Sequence, residues 1–299
     1  MTAESSSPWT GQPPRLTVAI IGTGRVGAVL GAAFMRAGHH VVACTGVSDL
    51  SRLRAESLLP GVPVKAVHEA VANVDLVLLA VPDDALEQLA AGLAATHAVR
   101  PGAFVAHTSG RFGTEVLEPL ARAGALPLAL HPVMTFTGTS VDLARLSGCP
   151  FGVTAPDDLR PVAEALTVEL GGEPVWVPQG NRPLYHAALA LAANNIMTLV
   201  NQSADILRQM GVGDPAALLT PLLTAAVDNA LRGGDAAVTG PVVRGDAATI
   251  GAHLVALAAQ DDEVRAAYRV MGLLTARARS GQTSWPAWWK RSRPDMEQF

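Results

Sequence analysis

The chain has 299 residues, 49% apolar and only 16% charged, with a mean hydropathy of +0.28. That is too apolar for disorder and long enough for two domains. A net charge of −4 and a pI near 6.0 argue against a chain built to grip nucleic acid. Two cysteines, Cys44 and Cys149, are too few for a disulfide framework or a zinc site, so no metal is expected. No apolar run reaches about 18 residues, so a membrane partner is not expected either. Residues 1–14 are rich in Ser, Pro, Gly and Thr and lack the basic and apolar regions of an export signal. They read as a disordered lead, and the expected compartment is the cytoplasm.

In chain order, short apolar runs at 16–21, 40–45, 76–80, 103–107 and 126–130 alternate with helix-patterned stretches. Their apolar character is continuous rather than alternating, which suits parallel strands covered on both faces. Two further runs, 151–154 and 174–177, flank a helix at 159–170 and extend the same sheet. At 179–183 the texture changes. Beyond it come only long periodic stretches, at 184–210, 215–232, 247–259 and 263–279, which read as helices. The expected organisation is an α/β domain at 15–180, an all-α domain at 181–282 and a tail at 283–299. Trp285, Trp288 and Trp289 in the tail are expected to pack on the body or on a partner subunit.

The first strand runs into Gly22-Thr23-Gly24-Arg25-Val26-Gly27, a G-x-G-x-x-G turn that opens an amphipathic helix. Strand, turn and helix in that order are the context a dinucleotide-binding Rossmann domain requires. Gly22 permits the tight turn, Gly24 lets the backbone approach a pyrophosphate, and Gly27 allows close packing of helix on strand. Arg25 reaches phosphate or ribose, or points into solvent. No acid stands at the end of the second strand, Val41 to Ser48, to hold a ribose 2′-hydroxyl. That absence favours NADP(H), with Thr45, Ser48 and Arg52 as contacts. The alternative for Arg52 and its neighbour Arg54 is an ordinary solvated helix face. Val81-Pro82 should pass beside the cofactor's riboses, with Asp83 or Asp84 capping the next helix.

His107-Thr-Ser109-Gly110 and His131-Pro-Val-Met134-Thr-Phe136 follow two more strands, at the carboxyl edge where open α/β sheets bind ligands. His107 equally suits a purely structural role. In the helical half, His186 and Asn194 are eight residues apart, about 80° out of register, and share a broad face. Arg244, in Thr239-Gly-Pro-Val-Val-Arg244-Gly-Asp246, is expected in an irregular loop, able to bind a carboxylate bidentately. Asp246 should cap the helix after it.

Taken in order, the Gly-rich turn, Val81-Pro82-Asp83-Asp84, His107-Thr-Ser109-Gly110, the His131 string, His186-Ala-Ala and the Thr239 string resemble one bacterial family over 16–280. In that family a Rossmann-like domain precedes a helical domain long labelled as of unknown function. Its broader relatives are the 6-phosphogluconate dehydrogenase-like reductases, including pyrroline-5-carboxylate and ketopantoate reductases. The resemblance implies NADPH-dependent reduction, and a homodimer through the C-terminal helices. Some members look like an alternative class of ketopantoate reductase, supplying pantoate for coenzyme A synthesis. The relatives' lysine, four residues before an asparagine, has no counterpart here: Ala190 and Leu191 precede Asn194 and Asn195.

The leading expectation is reduction of a small 2-oxo acid, with 2-dehydropantoate the specific candidate. His186 is the expected proton donor, with His131 as the alternative and Asn194 orienting the carbonyl. Ser109 and Arg244 are expected to hold the substrate carboxylate. A pyrroline-5-carboxylate-like C=N reductase is the rival enzyme. A non-catalytic NADP-binding sensor or scaffold is the rival class, favoured by the missing lysine.

Overall fold

The computed structural model describes residues 15–280; the lead and the tryptophan-bearing tail lie outside the described residues. In chain order the elements are β1 (Thr17–Ile21), α1 (Arg25–Arg36), β2 (His40–Thr45), α2 (Asp49–Leu58), α3 (Val67–Ala70), β3 (Leu76–Leu79) and α4 (Asp83–Ala95). Next come β4 (Phe104–His107), α5 (Glu118–Arg122), β5 (Leu126–Pro132), α6 (Val141–Arg145), β6 (Pro150–Thr154), α7 (Arg160–Glu169) and β7 (Glu173–Trp176). Five helices follow: α8 (Arg182–Gln209), α9 (Pro215–Gly233), α10 (Pro241–Arg244), α11 (Ala247–Ala256) and α12 (Asp262–Ser280).

The strands form one seven-stranded sheet in the order β2-β1-β3-β4-β5-β6-β7. All neighbours pair in parallel except β5 and β6, which run antiparallel, with His131 opposite Gly152. Beyond β2 a single parallel bridge joins Cys44 to Val64. Counting that bridge as a vestigial strand, the order becomes that of a dinucleotide-binding sheet, with its reversal point between β1 and β3.

Burial on both faces explains the continuous apolar runs. Along β1, Val18 and Ile20 join a core with Val29, Phe34, Leu59, Leu78 and Phe151. Ala19 and Ile21 turn to the other face and pack with Val77, Leu79, Leu86 and Val105. Each such aliphatic side chain removed from water contributes about 1.5–3 kcal/mol, which offsets much of the backbone ordering. After β5 the chain runs through Met134 and Phe136, which pack on the first core, into α6 beside α1.

The chain divides into two compact units, one up to Leu191 and the other from Ala192. The division falls inside α8, not at the strand-to-helix change in texture, because the first turns of that helix are anchored on the sheet. Two local expectations are corrected. Arg244 ends the one-turn helix α10, started by Pro241, and does not sit in an irregular loop. Pro82 is the N-cap of α4, so Asp83 and Asp84 fall in its first turn, where their charge still favours the helix dipole. Asp246 does cap α11, its carboxylate accepting from the Thr249 N–H.

Candidate active site

The turn after β1 is held from within. Gly22 adopts φ +96°, and a Cβ there would lie 2.5 Å from the Ala80 carbonyl oxygen, so only glycine fits. At Gly27 a Cβ would fall 2.0 Å from the Gly22 oxygen and 2.8 Å from the Ala80 Cβ, the close helix-on-strand approach expected of the third glycine. Nothing lies within 4 Å of a Cβ at Gly24. The Gly22 N–H donates to Thr45 Oγ1 at 2.9 Å, and the Thr23 N–H to the Thr45 carbonyl at 2.8 Å. Thr23 Oγ1 lies 2.9 Å from that same carbonyl and 3.0 Å from that of Ser51, fully buried. Thr23 therefore clamps the turn from inside and turns no side chain outward. Ser48 caps α2 in a capping box with Ser51.

Helix α1, by contrast, begins at Gly24 and Arg25 with no side-chain cap and no acid in its first turn. Its partial positive charge and free N–H groups are left for an anion, such as the pyrophosphate of a dinucleotide. The glycine spacing, the open Gly24 and this uncapped terminus fit such a cofactor. Val26 is half-buried at the start of the helix, and Val81 and Pro82 follow β3 beside Gly22. Arg52 is exposed and pairs with Asp49 at 3.5 Å.

A second cluster gathers where β4 and β5 end and α8 begins. His107 is fully buried: its Nδ1 accepts from the Ser109 N–H at 3.2 Å and its Nε2 lies 2.7 Å from the Gly113 carbonyl. Those partners select the tautomer with hydrogen on Nε2. Burial holds its pKa down to about 4, against the raising effect of the Gly113 bond, with Arg182 lowering it further. His107 is a structural histidine that folds the β4 loop back on itself. The Ser109 hydroxyl accepts from the N–H groups of Arg111 and Phe112 at 3.2 and 3.3 Å, which shapes the same loop.

His131, near the end of β5, has Nδ1 2.9 Å from the Tyr185 hydroxyl. Its ring meets those of Tyr185 and His186 edge-on, with centroids 5.7 and 5.8 Å apart. Burial, then the nearby charges of His186 and Arg182, press its pKa down to about 4, so it is neutral at pH 7. Burial raises the Tyr185 hydroxyl, keeping it protonated, although Arg182 pulls the other way. Two glycines make room for this group. A Cβ at Gly152 would sit 2.2 Å from the Tyr185 hydroxyl oxygen, and one at Gly110 would sit 2.8 Å from the His186 ring.

Arg182 staples the cluster to the sheet. Completely buried at the first position of α8, its guanidinium donates to Thr154 Oγ1 at 2.8 Å and to the Gly152, Ala129 and Ser109 carbonyls at 2.9, 3.2 and 3.4 Å. Burial lowers its pKa to about 10, which leaves it charged at neutral pH. Sequence reasoning passed over Arg182, Tyr185, Gly110 and Gly152. In a chain whose basic residues are nearly all arginine, Arg182 does not stand out; Tyr185, one of two tyrosines, was the available signal.

The structure thus brings His131, His186 and the Ser109 loop together through Arg182 and Gly110. Asn194 and Arg244 belong to the second unit. The Asn194 side chain is exposed and hydrogen-bonds no described residue, while its carbonyl also accepts from the Thr198 hydroxyl. Among the described residues there is no group of His, Cys, Asp and Glu able to hold a metal. No single helix among them is long and apolar enough to cross a membrane.

A mostly parallel sheet with its glycine turn at the reversal point defines a dinucleotide-binding α/β domain, here joined to a helical one. Family comparison gives both domains: residues 1–132 match a Rossmann-like domain, and residues 149–275 match a domain of unknown function, DUF2520. The chain is a Rossmann-like domain followed by a DUF2520 domain. No curated protein matches it. Among solved structures, it is similar to BF3122 from Bacteroides fragilis, put forward as an NADP oxidoreductase, with a TM-score of 0.74 and 22% identity, covering 88% of this chain and 98% of that one. An imine reductase from Pseudomonas sp. has a TM-score of 0.65 and 18% identity, covering 94% of this chain and 100% of that one. An imine reductase variant from Myxococcus stipitatus, in complex with NAD+, has 0.61 and 18%, with the same coverage. At these identities the likeness is one of fold.

Proposed function

We propose that the protein is an NAD(P)H-dependent oxidoreductase that reduces a small 2-oxo acid, with NADP(H) preferred and 2-dehydropantoate the specific candidate substrate. The observation that carries the proposal is the pairing of the uncapped Gly-rich turn with the His131–Tyr185–His186 cluster on the same sheet. When bound, the cofactor supplies a hydride to the keto carbon. The oxygen of that carbonyl then needs a proton, and His186 is assigned as its donor. His131, neutral at pH 7 and bonded to Tyr185, holds the adjoining hydrogen bond and is the alternative donor. The Ser109 hydroxyl, already fixed by two backbone N–H groups, retains its own hydrogen for the substrate carboxylate. The roles assigned to Asn194 and Arg244, orienting the carbonyl and holding the carboxylate, belong to the same proposal.

The absence of an acid before Asp49 supports NADP(H) over NAD(H). Similarity to two imine reductases favours one second reading, reduction of a C=N bond as in pyrroline-5-carboxylate. NADPH and NADH oxidation measured against both substrates separates the two: turnover of ketopantoate alone supports the first, and of the cyclic imine alone the second. Changing His186 to Ala should lower kcat at least about a hundredfold. An unchanged rate would remove His186 from the chemistry while leaving the reaction standing.

The assembly that goes with this reading is a homodimer built through the C-terminal helices. Its support is the exposed apolar surface those helices carry, including Leu222, Leu231 and Val255 at 62%, 83% and 77% exposure.

A further inference from the structure

Two arginines stand beside the Gly-rich turn without a counter-ion. Arg25 opens α1 and Arg54 lies on α2, and neither makes a hydrogen bond or ion pair with any described residue. Both meet at Gly138, on the segment between β5 and α6. A Cβ there would lie 2.7 Å from Arg54 Nε and 3.1 Å from Arg25 Cα and Cγ. Gly138 has φ +79°, and that conformation is held by Asp142. The buried Asp142 Oδ2 accepts from the Gly138 N–H at 2.8 Å, from the Thr137 N–H at 2.8 Å and from the Thr137 hydroxyl at 3.0 Å. Its other oxygen lies 3.5 Å from Arg145. Asp142 is thus spent inward, and the exposed hydroxyls of Thr137 and Thr139, 2.8 Å apart, edge the loop. The Arg54 guanidinium and the base of the Arg25 side chain thus lie against one glycine, and neither arginine is paired with a described carboxylate, so an anion arriving there meets uncompensated positive charge.

We propose that Arg25 and Arg54, edged by Thr137 and Thr139, seat the 2′-phosphate of the cofactor's adenosine, and that Arg52 does not. The proposal rests on the dinucleotide reading above. A phosphate monoester carries close to two charges, which two arginines match. Arg54 is on the helix that follows β2, the strand whose end faces the adenosine ribose in this fold. Arg52, two residues earlier, is occupied by Asp49 and by the Gly46 carbonyl at 3.4 Å. The Asp142-held loop adds a wall to this seat from the far side of the sheet order, a contribution invisible in the strand-two sequence.

The test is fluorescence titration of the full chain with NADPH and with NADH. Wild type should bind NADPH more tightly. Arg54→Ala should raise the NADPH Kd about tenfold or more and leave the NADH Kd within about twofold, with Arg54→Lys between. Retained NADH binding also reports that the variant is folded. Arg52→Ala should keep the wild-type ratio. Equal weakening of both nucleotides by Arg54→Ala would move the contact to the pyrophosphate and overturn the proposal. So would loss of NADPH preference in Arg52→Ala alone, or a wild type without preference. If the wild type binds neither nucleotide, the dinucleotide reading falls with it.

Discussion

The two units of this chain treat their apolar side chains in opposite ways. In the first, the strands β1, β3, β4 and β6 are buried almost throughout, and even polar groups such as Thr23, His107 and Arg182 are sealed in and hydrogen-bonded. Among the described residues of the second, Ala204, Leu219, Ile250 and Ala276 are the buried hydrophobics, while leucines on α9 face outward. The first unit encloses two extensive apolar cores of its own. The second carries more apolar surface than it covers, and under the dimer proposed above a second copy supplies the missing cover.

That contrast is sharpest at Arg182. Changing it to Ala removes a buried charge and strands its acceptors, the Ser109, Ala129 and Gly152 carbonyls and Thr154 Oγ1. Unpaired buried acceptors cost about 1–3 kcal/mol each, with partial relief from water, so a loss of about 3–5 kcal/mol is expected. Urea unfolding measures it. A loss under about 1 kcal/mol would mean the sheet end is not sealed as described. Tyr185 and His186 follow Arg182 on the same turn, so reductase turnover should fall with stability.

Acid should weaken the first unit by a smaller amount per group. His107 and His131 have folded pKa values of about 4 against an ordinary value of 6.5. Between those values the unfolded chain binds protons that the folded one refuses. Stability is therefore fully present above about pH 6.5 and is lost progressively as pH falls toward 4. The loss is on the order of 2–3 kcal/mol for each histidine. His107→Gln should flatten the slope of unfolding free energy between pH 7 and 5, and an unaltered slope would assign the titration to other groups.

Much of the fold was legible because its signals are local. Branched runs bounded by glycine or proline mark the strands, and all seven form within a residue or two of the expected limits. The direction of β6 was not legible, since strand and helix alternate identically whether a strand enters parallel or antiparallel. The turn glycines could be read because each meets a steric demand within one strand-turn-helix unit. The histidine cluster was half legible: His131 and His186 stand out by type, whereas the contacts joining them pass through Gly110, Gly152 and Arg182. These lie on segments 30 or more residues apart, and no spacing rule connects them. The Arg54 seat is hidden for the same reason, its third side coming from the loop at Gly138.

The smallest effect on the single chain should come from the second unit, and there the comparison can be broken cleanly. Leu218 and Leu222 lie one turn apart on α9, 53% and 62% exposed. Replacing both by Glu adds charge where water already reaches, so the isolated chain should change in stability by no more than about 0.5 kcal/mol per site. A dimer joined through that face would instead have to bury the carboxylates, which is costly when they are unpaired. Light scattering during size exclusion should then show a wild-type dimer becoming a monomer, with far-ultraviolet circular dichroism unchanged. A monomeric wild type would leave the outward leucines unexplained by self-association and would overturn the proposed assembly. A double variant that stays dimeric would move the interface to another face of the helices, because neither glutamate could be tolerated within it.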